Sequence, residues 1–133
     1  MSHGFVYCLI NPSMPGLVKI GFTHKHPLAR MAELSKATAC PIPFEMLAFF
    51  DTAVPREVER AIHQELDEYR SNPCREFFSV SYMVLQDVVR QWCDPIEGIC
   101  NLLLLDEMAD EESREEAEAL CFAVQEVRNG TRS

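Results

Sequence analysis

The chain has 133 residues, 47% of them hydrophobic, enough for one compact core with a helical appendage and too few for two full domains. No run reaches the roughly 18 apolar residues that a membrane span needs; Leu102 to Leu105 stops at Asp106. The formal charge of −9 is held unevenly, since residues 1–92 carry nine Lys and Arg against ten Asp and Glu, and residues 93–133 carry three against eleven.

The first segment is therefore nearly neutral, and it grips nucleic acid only where its few basic groups converge. Met1-Ser2-His3-Gly4 runs straight into a strand-like segment, which reads as no secretory signal and a soluble, cytoplasmic protein without a membrane partner. Phe5 to Ile10 is a β-rich run. Asn11-Pro12-Ser13-Met14-Pro15-Gly16 is a turn, and Leu17 to Phe22 resumes the strand, so the two form a hairpin. Pro27 suits a first helical turn, with Leu28, Met31, Ala32 and Ser35 along one side. Thr38 to Pro43 reads as a loop and Phe44 to Phe50 as a third strand.

Pro55 opens a second helix whose apolar stripe is Val58, Ile62, Leu66 and Tyr69, ended by Ser71-Asn72-Pro73. Glu76 to Val80 is a short extended piece. Ser81 caps a third helix with Val84, Leu85, Val88 and Trp92 inward. Asp94-Pro95-Ile96-Glu97 carries the signals of a further helix start, with Ile96, Ile99, Cys100 and Leu103 on its apolar face. Beyond an acidic stretch, Ala117, Leu120, Val124 and Val127 repeat until Asn129-Gly130. The order predicts an α+β domain over residues 1–92: a small antiparallel three-stranded sheet (β-β-α-β-α) flanked by helices. Residues 93–133 follow as an acidic helical extension. The six cysteines, Cys8, Cys40, Cys74, Cys93, Cys100 and Cys121, contain no C-x-x-C pair and sit mostly in apolar stretches. Reduced structural thiols fit that better than disulfides or a metal site.

Four features stand out chemically. Tyr7 lies mid-strand, on one face with Phe5 and Leu9, beside a hairpin partner carrying Lys19. Gly21, at the end of that partner, permits close approach to the backbone. Arg30 falls early in the first helix. Glu59 and His63, four apart on the second, project from the same side. Each has a plainer reading: packing for the tyrosine, a turn for the glycine, solvation for the arginine, and a helix-stabilising contact for the Glu/His pair.

Their order is more informative than any one of them. Phe5-Val6-Tyr7-Cys8-Leu9 and Val18-Lys19-Ile20-Gly21-Phe22-Thr23 are followed, nine residues after Gly21, by Arg30 and Met31-Ala32-Glu33-Leu34-Ser35. Glu59-Arg60-Ala61-Ile62-His63 and Arg75-Glu76-Phe77-Phe78 complete the series. Over about residues 4–92 this resembles the GIY-YIG nuclease family, in its phage-type and bacterial branch with a Lys-Ile-Gly second motif. The resemblance implies a metal-dependent endonuclease acting on DNA or another nucleic acid, in phage biology, bacterial defence, restriction or repair. Glu59 would hold one Mg2+ or Mn2+ with waters, the oxygen ligation that a hard ion prefers. Arg30 would clamp the phosphate. Tyr7 would take a proton from the attacking water, its usual pKa of about 10 lowered by the metal or a cation.

His63 is a second candidate base. Lys19 stands where better-known members carry a second tyrosine; an ammonium there reaches phosphate or Tyr7 but does not copy a neutral hydroxyl. Gly21, Thr23 and Glu76 fall on the substrate side, with Glu76 either orienting the site or capping the local fold. No counterpart of the family asparagine after the glutamate helix is found. The alternative is a catalytically weak nucleic-acid-binding or regulatory module that keeps the fold. The extension reads as a solvated helix packed on the core, as a homodimer contact through its apolar stripe, or as a carboxylate cover over the active site.

Overall fold

The computed structural model describes residues 3–37, 42–71, 76–94 and 96–130. Outside them lie Cys40, Cys74, Arg75, Pro95, most of the Thr38–Pro43 loop and the Asn72-Pro73 stop. The hairpin forms as expected: β1 (Gly4–Ile10) and β2 (Val18–Thr23) pair antiparallel, with Tyr7 opposite Gly21 and Leu9 opposite Lys19. The Asn11 carboxamide shapes the turn by accepting the Ser13 N–H at 2.9 Å and donating to the Ile42 carbonyl at 2.8 Å. Next come α1 (Pro27–Ala37), β3 (Glu45–Thr52) and α2 (Pro55–Glu65). β3 takes the other side of β1, with a register shift between Cys8 and Leu9.

The sheet is α+β and antiparallel as expected, but it has five strands rather than three, in the order β4-β2-β1-β3-β5. The two extra strands hold two residues each. β4 (Phe77–Phe78) pairs with β2, and β5 (Cys100–Asn101) pairs with β3. Between them runs α3 (Tyr82–Trp92), capped by Ser81, whose hydroxyl accepts the Val84 N–H. The final helix is α4 (Leu103–Gly130).

The helix expected at Asp94 does not form. Its carboxylate does accept the Ile96 and Glu97 N–H groups, both at 3.0 Å, as an N-cap would. The chain is then drawn to the sheet: the Asp51 carboxylate accepts the Ile99 N–H at 2.8 Å, and the Ile99 carbonyl accepts the Asp51 N–H at 2.9 Å. Amides that a helix would use are spent on β3, so Ile96 and Ile99 face solvent instead of forming an apolar face. Trp92, expected inward, is exposed at the end of its helix, and so is Leu28 at the start of α1.

Alternation along the strands builds two cores. Val6, Cys8, Val18, Ile20 and Phe50 face a large core under α2, α3 and α4, completed by Val58, Ile62, Leu85, Val89 and Leu105. Tyr7, Leu9, Phe44 and Phe49 face the other way, into a smaller cluster beneath Met31 and Leu34 of α1. α4 joins the main core only at its start, through Leu105 and Ala109. The Glu112 carboxylate fastens it there by accepting the Tyr82 and Met83 N–H groups at the head of α3. Cys8, Cys93, Cys100 and Cys121 are free thiols, and Cys121 is exposed rather than buried. Among the described residues, no helix is long and apolar enough to cross a membrane.

Candidate active site

β4 covers the outer edge of β2 only at Val18 and Lys19. At Ile20 that edge passes to other groups: the Ile20 N–H donates to the Glu76 carbonyl at 3.0 Å, and His63 Nε2 lies 2.8 Å from the Ile20 carbonyl. A ring nitrogen facing a carbonyl must carry the proton, so His63 donates from Nε2. Its Nδ1 faces Glu59 Oε1 at 3.4 Å, one turn earlier on α2. Both imidazole nitrogens therefore have protein partners, and the ring also packs on Phe78 at 4.9 Å.

Tyr7 comes from the opposite face of the sheet and crosses β2 above Gly21. A Cβ on Gly21 would stand 2.5 Å from the Tyr7 hydroxyl oxygen and 2.7 Å from Cζ. The glycine does serve a close approach, but what approaches is the tyrosine ring of the same hairpin. Arg30, in the first turn of α1, is within hydrogen-bonding reach of the phenol. Arg30 also donates to Glu33 at 3.1 Å, and Glu33 in turn accepts from Lys25 at 2.7 Å. Burial pushes the Tyr7 phenol above its ordinary pKa; Arg30 pulls it down, and the negative charges of Glu76 and Glu59 push it up again. The net shift is upward, opposite to the lowering expected of a base.

Glu59 is half enclosed and its pKa is also raised. Burial is the main cause, with Glu76 adding to it while His63, Arg56 and Arg60 oppose it. Lys19 is buried beneath Glu76, donating to its carboxylate, with the ammonium 5.0 Å from the centre of the Phe77 ring. Its charge is thus spoken for within the site. The negative charge of Glu76 is felt by both Tyr7 and Glu59. Thr23 is not part of this group: its hydroxyl accepts the Lys25 N–H at 3.0 Å and shapes the turn into α1. Arg56 and Arg60 were overlooked in the sequence, although Arg56, three residues before Glu59, stands where a helix places an electrostatic neighbour.

Tyr7, Lys19, Gly21, Arg30, Glu59, His63 and Glu76 thus gather around the middle of β2 from both faces of the sheet. Arg30 and Glu76 are the members most open to solvent. A separate cavity of about 420 Å3 at the head of α2 is lined by Phe22, His24, Pro55, Arg56 and Glu57, and none of the gathered residues lines it. Among the described residues, no set of three or more His, Cys, Asp or Glu is arranged to hold a metal. A family model described as the T5orf172 domain matches residues 4–93. No curated protein and no solved structure matches the chain.

Proposed function

The chain belongs to the T5orf172 domain family, which is GIY-YIG-like and nuclease-associated, and from that premise we propose that it is a metal-dependent endonuclease hydrolysing phosphodiester bonds in DNA. One observation carries the reading: an arginine and a half-enclosed glutamate, far apart in sequence, both act on the hydroxyl of Tyr7, which lies over Gly21.

Hydrolysis of a phosphodiester needs an acceptor for the proton of the attacking water and positive charge where negative charge develops. In this reading Tyr7 accepts the proton as its phenolate, and Arg30 grips phosphate oxygens with a planar donor fork. Glu59 holds Mg2+ or Mn2+. A hard ion that keeps several waters needs few protein oxygens, so one carboxylate, with Glu76 within electrostatic reach, fits it. When bound, the ion supplies Lewis-acid charge to the reacting phosphate. His63 is a positioning residue, because its Nε2–H is engaged by the Ile20 carbonyl and its Nδ1 lies beside the Glu59 carboxylate. Lys19 keeps Glu76 in place through their ion pair.

A second reading is a nucleic-acid-binding module with little catalysis; the upward shift of the Tyr7 phenol, which makes its phenolate harder to form, supports it. The two readings separate when supercoiled and single-stranded DNA are incubated with the protein plus magnesium, manganese or chelator, beside Glu59→Ala. Metal-dependent cleavage that the substitution abolishes is the expected result. Binding by both proteins with no cleavage of either DNA supports the second reading instead.

A further inference from the structure

The residues from Ser113 to Gly130 are exposed along their whole length, although α4 continues unbroken through them. Eighteen residues of helix extend about 27 Å. A helix of that length owes most of its stability in water to an apolar face packed on something. Such a face is present. Ala117, Leu120, Val124 and Val127 form one stripe, and Leu120 and Val127 are 66% and 67% exposed. Cys121 flanks it on one side and Ala123 on the other, both small enough to let a second backbone come close.

We propose that this half of α4 pairs antiparallel with the same segment of a second copy of the chain, about a two-fold axis at Phe122. The stripe is symmetric about that residue. Ala117 and Val127 lie equally far on either side of it, as do Leu120 and Val124. Reversing one helix therefore sets Ala117 against the second copy's Val127, and Leu120 against its Val124. Antiparallel pairing of the a and d positions of a heptad asks for that arrangement, and an isologous contact is self-complementary by definition.

Charge selects the same arrangement. Asp110, Glu111, Glu112, Glu115, Glu116 and Glu118 crowd the stretch before Ala119, with Arg114 the one base among them. Parallel helices would lay these two acidic blocks side by side. Antiparallel helices hold their centres about 24 Å apart, well beyond the screening length of about 8 Å in physiological salt. A basic partner is not what the surface fits, because from Ala119 to Val127 the only acid is Glu126. The pairing rests on α4 alone and stands whether or not the chain cuts DNA.

Sedimentation equilibrium of the full chain tests it, with wild type beside Leu120→Glu and Val124→Glu. Both positions face solvent, so neither charge enters the core. A reversible dimer is expected for the wild type and a single chain for each variant. A wild type that stays monomeric at every concentration, or a dimer that survives both substitutions, overturns the proposal.

Orientation is read at Cys121, on the same flank of both helices. Those flanks adjoin near the axis of an antiparallel pair and lie on opposite sides of a parallel one. Diamide takes the two thiol hydrogens onto its N=N bond as one S–S bond forms between chains. A disulfide-linked dimer absent from Cys121→Ser is expected. A dimer in solution without that cross-link overturns the antiparallel arrangement.

Discussion

Opposed influences meet at the Tyr7 hydroxyl: burial and two carboxylates hold its proton on, while Arg30 draws it off. The form able to accept a proton is the phenolate, and its folded pKa lies above the ordinary value. Activity is therefore expected to climb with pH through neutrality and to keep rising toward that shifted value. Tyr7→Phe should flatten this limb and cost about 10²- to 10⁴-fold in rate, the usual worth of a positioned general base. Arg30→Gln removes the lowering influence and should move the limb to still higher pH. Rates of plasmid nicking across a pH series check both. A limb unchanged in Tyr7→Phe would assign the proton transfer to another group.

The elements differ in how legible they were. The hairpin, α2 and α3 announce themselves through periodicity, because each runs long enough to repeat its apolar face. β4 lies inside the extended piece expected at Glu76 to Val80, but at two residues each β4 and β5 are too short for alternation to show that they pair. At Asp94 the cap signal was real and the element it opened was not, since a capped turn and a capped helix begin with the same carboxylate. The decision lay with Asp51, distant in sequence and adjacent in the sheet. Gly98 sits at the pinch: a Cβ there would stand 2.6 Å from the Asp94 carbonyl oxygen and 2.8 Å from Asp51 Oδ1. Gly98→Ala is expected to destabilise the fold by about 1–3 kcal/mol, seen as a lower urea midpoint at unchanged slope. An unmoved midpoint would mean that this turn contributes little to holding β5.

Across the molecule, α4 does two jobs that its acidic composition conceals. Its start belongs to the main core, where Leu105 is fully buried. Its far half belongs to no core of this chain. Leu105→Ala should therefore cost about 2–5 kcal/mol, as buried leucines do. Leu120→Ala, measured in dilute protein, should leave the thermal midpoint of the chain nearly unmoved.

The active-site residues were visible as separate motifs whose order carried the resemblance. Their partners were not. The engagement of His63 by a strand carbonyl, the burial of Lys19 under Glu76 and the local role of Thr23 are set by side-chain packing, which spacing does not encode. Glu59 ties the site to the stability of the whole fold. Its raised pKa means that proton uptake stabilises the folded chain below the ordinary carboxylate value of about 4.5. That stabilisation is lost as pH rises through the raised value, so near neutrality the enclosed charge is a burden that a bound cation would relieve.

The most direct measurement compares wild type and Glu59→Gln for nicking of supercoiled plasmid in magnesium, with thermal unfolding of both followed with and without the ion. The expected result is nicking by the wild type alone, a wild-type midpoint raised by magnesium, and a variant that melts no lower without metal and ignores the ion. A variant that nicks as fast as wild type, or a wild type whose midpoint magnesium leaves unmoved, would contradict the assignment of Glu59 as the metal-holding carboxylate of a nuclease.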